Sequence, residues 1–115
     1  MTLKLTPEVL RGAYTYLTET EPFCRWNLPD PEEMFFKVDR HRNRYGCAVS
    51  DEKGHYMIAI SSRFIGTTLS LMETVAHEMV HVHQAQAKMA VDHGLAFRKF
   101  AAQVCKVHGF DPKLF

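Results

Sequence analysis

The chain has 115 residues, 46% of them hydrophobic and 23% charged, and a formal net charge of +1. That length suits one domain with one modest core. No apolar run reaches the roughly 18 residues of a membrane span, the first residues lack the apolar core of a signal peptide, and so small a charge gives no global attraction to nucleic acid.

The elements follow in order. Thr6-Pro7-Glu8 is a helix start: a capping hydroxyl, Pro at the first helical position and an acid in the first turn. Leu10, Ala13, Tyr14 and Leu17 then recur at helical spacing, and the helix is expected to end near Thr20, before Pro22. The segment "EPFCRWNLPDPEE" holds three prolines and reads as an ordered loop. Three strands are expected next: Met34 to Val38, Tyr45 to Ser50 and His55 to Ser61. "DEKG" between the last two is a hairpin turn. A small three-stranded antiparallel meander is the expected sheet. Ser70 to Glu73 has the S-x-x-E form of a capping box, and Met72, Val75, Ala76, Met79 and Val82 form an apolar stripe behind it. A helix is expected from about Leu71 to Lys88. A last helix begins around Gly94, buries Phe97, Phe100, Ala101 and Val104, and ends at Gly109 as its C′ residue. The fold class is therefore α+β.

Cys24, Cys47 and Cys105 are odd in number, far apart and form no CxxC pair. This argues against a disulfide framework and a zinc ribbon. A reducing cytoplasm is the expected compartment, that of the host if the protein is of phage origin.

The chemistry concentrates in "AHEMVHVHQ", Ala76 to Gln84. His77 and His81 are four residues apart, so a helix projects both from one face with Cβ atoms about 5–6 Å apart. Two imidazoles so placed can each reach one ion at about 2.0–2.1 Å. Glu78 follows the first histidine, where its carboxylate can reach a metal-held water without being a ligand. This is H-E-x-x-H, the two-ligand-plus-base pattern of zinc peptidases. His83 lies roughly 200° around the helix from His81, so it packs against the core or faces solvent.

A catalytic zinc needs a third protein ligand and one open position. A metzincin would carry glycine at position 84 and histidine at position 87, but those are Gln84 and Ala87. A glutamate ligand on a later helix is excluded, because no glutamate follows Glu78. That leaves His93, with Asp92 as the alternative. A helix running to Lys88 carries the chain about 10 Å past His81, and the residues from Met89 to His93 span at most about 17 Å. His93 can fold back if the helix stops by about residue 90. His108 lies about 22 Å beyond His93 along a helix and is expected to meet the last carbonyls of its own helix. His41 and His55 sit in turns without a role. Glu73 is explained by the capping box or by a supporting position one turn before His77.

"HEMVH" followed by "DHGLAF", then a helix ending in "HGF", resembles the SprT-like zinc metallopeptidase domain. That family pairs HExxH with a third ligand histidine in an H-G-x-x-F context, here His93, Gly94 and Phe97. "LRGAYTYL" and "LPDP" add to the resemblance, which covers nearly the whole chain. It implies a minimal zincin as a single domain over residues 1–115: an N-terminal helix, a short sheet, the active-site helix and a ligand-bearing helix. There are two departures. The sequence stops at Phe115 with neither the cysteine zinc ribbon nor the interaction motifs of many relatives. The interval between His81 and His93 is also shorter than in some. Eukaryotic members act on DNA–protein crosslinks, so DNA-associated proteins enter as one substrate class.

The expected function is zinc-dependent hydrolysis of peptide bonds in a protein or peptide substrate. His77, His81 and His93 bind one Zn2+ per chain, and Glu78 is general base on the water it holds. Met57 to Ser61 is the expected sheet edge for an extended substrate. Tyr14, Tyr16, Tyr45 and Tyr56 carry donor chemistry for an oxyanion, and nothing in the spacing selects among them. Two rival readings stand beside this. One is a nucleic-acid-associated module, in which Arg40, Arg42 and Arg44, with Lys37, contact DNA phosphates around a loop. The other is a purely structural zinc site in a small domain, without proteolysis.

Overall fold

The computed structural model describes residues 4–51 and 53–115. Helix α1 (Pro7–Thr18) starts as its sequence dictates, with the Thr6 hydroxyl accepting the Val9 N–H at 3.2 Å. Leu10, Ala13, Tyr14 and Leu17 are its buried stripe. It closes two residues before the expected end, because the Thr20 hydroxyl and N–H both turn back to the Leu17 carbonyl. The proline-rich segment that follows forms two short 3-10 turns, Phe23–Arg25 and Pro31–Glu33. Tyr14 ties it to α1 by donating its phenol to the Pro29 carbonyl at 2.5 Å.

Strands β1 (Met34–Asp39), β2 (Gly46–Ser50) and β3 (Tyr56–Ser61) form a sheet of order β1-β3-β2. β1 pairs parallel with β3, from Met34↔Tyr56 to Asp39↔Ser61, and β2 pairs antiparallel with it. The sheet is thus mixed, and the expected antiparallel meander is corrected. Burial explains the order. Ile58, Ala59, Ile60 and Ser61 of β3 are buried on both faces, which suits a central strand. Phe35 of β1 and Val49 of β2 are exposed, which suits edges. The step from β1 over β3 to β2 is about 10 Å, within reach of the loop 40–45. That loop is stitched to the end of β3: Ser61 N–H donates to the Tyr45 carbonyl at 2.7 Å and Ser61 Oγ to the His41 carbonyl at 2.8 Å. Met57 to Ser61, expected as an edge, is instead the central strand, and the edges are β1, beside α1, and β2, beside the helix that follows β3.

Helix α2 (Thr68–Gln86) packs against β2, β3 and α1, and against α3 (Leu95–His108) on its other side. Its capping box is not Ser70–Glu73. The Thr67 hydroxyl accepts the Ser70 N–H at 3.0 Å, and the Ser70 hydroxyl accepts the Thr67 N–H at 3.2 Å. The pairing places the start three residues earlier than expected and leaves Glu73 inside the helix. α2 stops at Gln86, and Lys88 turns left-handed at φ 57°. Gly109, at φ 76°, closes α3 as expected. The core joins Leu10, Tyr14 and Leu17 to Ile58, Ile60, Val75, Met79, Phe97 and Val104. Among the described residues no helix is long and apolar enough to cross a membrane.

Candidate metal centre

α2 is buried on most of its circumference, so the HExxH residues sit inside the molecule rather than on a solvated face. His77 and His81 stand one turn apart with ring centroids 5.0 Å from each other. Because α2 ends at Gln86, the turn after it carries His93 back over this pair. The His93 Nε2 lies 3.1 Å from the Nε2 of His77 and 3.1 Å from that of His81. The ring of Phe97, one turn into α3, packs within 4.9 Å of all three imidazoles, centroid to centroid. Asp92, the alternative third ligand, is not in the cluster. Its Oδ1 accepts the Gly94 N–H at 3.0 Å and shapes the turn into α3.

The donor set fits zinc. Two nitrogens bound tetrahedrally at 2.0–2.1 Å lie about 3.3 Å apart, close to the separations seen here. The far nitrogens of two rings are also engaged. His77 Nδ1 donates to the Phe115 carbonyl at 2.5 Å, and His81 Nδ1 donates to Gln84 Oε1 at 2.8 Å. With the proton held on Nδ1, each neutral ring turns its Nε2 lone pair to the common centre. Burial, helped by His81 beside it, pushes the His77 pKa down to about 4, although the Phe115 carbonyl opposes the shift. His81 is lowered too, by burial first. Both rings are therefore neutral at pH 7, the state a metal requires.

Glu78 is only 4% exposed. Burial raises its pKa from the ordinary 4.5 to about 7, and Arg44 draws it back only partly. Among the described residues its carboxylate has no hydrogen-bond partner. It lines a cavity of about 550 Å³ with His77, Gly46, Tyr45, Phe64 and Phe115. A Cβ on Gly46 would lie 2.8 Å from the Ala59 carbonyl and 3.4 Å from Glu78 Oε2. Glycine there leaves room for the Ala59 carbonyl and the Ile60 side chain of β3, and brings the start of β2 close to Glu78.

The remaining histidines serve the fold. His83 stacks on Trp26, with centroids 4.3 Å apart and planes at 11°, which settles it as a packing residue. His108 does not serve its own helix end. Its Nε2 lies 3.0 Å from Thr20 Oγ1 and 3.1 Å from the Glu21 carbonyl, joining α3 to the end of α1. His41 and His55 lie in turns. Of the four tyrosines, Tyr14 is fully buried and engaged with Pro29, and Tyr45 lines the cavity. Sequence reasoning missed three contributors: Gln84, Phe115 and Gly46. The i,i+3 spacing of His81 and Gln84 carried a signal for the first.

No curated protein sequence matches the chain significantly. The model of the SprT-like family matches residues 13–114, nearly the whole chain and all the residues of this centre up to Leu114. The chain belongs to the SprT-like family.

Proposed function

We propose that this protein is a zinc metallopeptidase that hydrolyses peptide bonds in protein substrates. The observation carrying the reading is the meeting of three imidazole Nε2 atoms beside a buried carboxylate that opens into a cavity. His77, His81 and His93 hold the ion, one per chain. When bound, zinc supplies Lewis acidity that polarises a carbonyl and acidifies water. Glu78 takes the proton of the attacking water and passes it to the leaving amine. A pKa near 7 suits a group that must both accept and release a proton at neutral pH. The free edge of β2 offers main-chain groups to an extended substrate. A purely structural site has no use for Glu78, whose burial costs stability. The free thiols of Cys24, Cys47 and Cys105 support a reducing compartment, the cytoplasm.

The test is zinc content by elemental analysis of wild type beside His93→Ala. The reading expects about one zinc per wild-type chain, lost or much weakened in the variant. A wild type that holds no zinc at neutral pH sinks it.

A second reading concerns DNA. Arg40, Arg42 and Arg44 are exposed on the loop that ends at Tyr45, beside the cavity, and among the described residues Arg44 is paired, 3.6 Å from Asp39. Phosphate contacts there would bring DNA-associated proteins to the cleft. Duplex binding that is indifferent to salt, or to replacing all three arginines with alanine, would count against it.

A further inference from the structure

We infer that the cavity beside Glu78 is a selectivity pocket for one bulky apolar side chain of an extended polypeptide, next to the bond to be cut. This rests on the peptidase reading and names what that site prefers.

Ser70, Glu73, Thr74 and His77 recur at i, i+3, i+4 and i+7, so one stripe of α2 forms the floor. One wall comes from the strand side. Tyr45 and Phe64 stack there with centroids 4.9 Å apart and planes at 14°. They are 57% and 37% exposed and lie outside the core cluster. A stacked aromatic pair left open at a cleft has unspent apolar surface for a ligand. The other wall comes from Leu114, 75% exposed, and Phe115. Phe115 reaches the metal cluster itself, through its carbonyl on His77. Glu73 and Lys113 add opposite charges to the lining beside Glu78, so the lining holds no surplus of cations to draw an acidic side chain. About 550 Å³ lies within the range of sites that enclose small ligands.

The approach is set by β2. β3 covers one edge of β2 and leaves the other free. β2 begins at Gly46, against Glu78 and next to Tyr45. A peptide pairing with that free edge passes the carboxylate. Its side chains alternate between faces, so alternate ones turn towards α2 and the cavity. Main-chain pairing supplies affinity for any extended chain, and the pocket supplies the choice of residue.

The test uses labelled peptides that are identical except for one central residue: Phe, Leu, Ala, Asp or Lys. Binding is measured by anisotropy on zinc-loaded Glu78→Gln, alone and combined with Phe64→Ala or Leu114→Asp. Cleavage is measured with zinc-loaded wild type. Phe64 and Leu114 are partly or largely exposed, and retained zinc verifies that each variant keeps its centre. The Phe and Leu peptides are expected to bind at least about tenfold tighter than the Ala peptide, with the Asp peptide weakest. Phe64→Ala should erase most of that preference, and Leu114→Asp should shift it towards Lys. Equal binding of all five peptides, or a ranking unmoved by both variants, overturns the pocket whatever the cleavage assay shows. The expected ranking without cleavage upholds the pocket and refutes the peptidase reading. The expected ranking with cleavage beside the variable residue supports both.

Discussion

Glu78→Gln on the metal-free protein isolates the energetic cost of keeping the general base buried. In the folded chain the Glu78 pKa is about 7, against an ordinary 4.5, with burial as the cause. The folded state therefore holds its proton more tightly than the unfolded chain. The stabilising contribution of that proton is complete below pH 4.5 and is lost as pH rises through 7. Worked through the two pKa values, wild type forfeits about 1 kcal/mol by pH 5 and about 3 kcal/mol by pH 8. Glutamine keeps the shape and has no proton to lose. The stability of Glu78→Gln relative to wild type should thus rise by about 2–3 kcal/mol between pH 5 and pH 8. His77 and His81, whose pKa values are lowered, act in the opposite sense and lose stability as pH falls. They are present in both proteins and cancel in the difference to first order. Urea unfolding in the presence of a chelator, repeated at each pH, measures it. A difference that stays constant with pH would refute the claim that Glu78 is held protonated by burial.

Other variants probe the support of the centre. Gln84→Leu removes the acceptor for His81 Nδ1 and should weaken zinc binding by about 10–100-fold with little change in helicity, as competition with a chromogenic chelator would measure. Gly46→Val meets the Ala59 carbonyl and the Ile60 side chain at 2.8 Å. It should cost about 1–3 kcal/mol in unfolding experiments and lower activity by parting β2 from β3 beside Glu78. His83→Ala removes the stack on Trp26 and the edge contact with Phe100. Its melting temperature should fall while zinc content stays at the wild-type value, because His83 faces away from the cluster.

Much of this was legible in the sequence where local chemistry decides the outcome. The Thr6–Pro7 start, the α1 stripe and the Gly109 stop depend on residues within a turn or two of one another. The HExxH pair depends only on helical spacing, and His93 on a reach limit that the early end of α2 satisfies. What escaped depends on contacts distant along the chain. The parallel pairing of β1 with β3 is set by which strand is buried on both faces, and three short apolar runs do not announce that. The edge role passed from β3 to β2 for the same reason. Two adjacent hydroxyls, Thr67 and Ser70, outcompeted the S-x-x-E pattern for the start of α2. Phe115 reaches His77 from 38 residues away, and no spacing rule covers such a contact.

The most direct measurement is the rate at which zinc-loaded wild type and Glu78→Gln, matched in zinc content, cut an unfolded protein chain. Wild type should cleave the chain, at a rate about 10²–10⁴ above that of the variant. Equal rates would remove Glu78 from the chemistry, and no cleavage by a fully loaded wild type would contradict the peptidase itself.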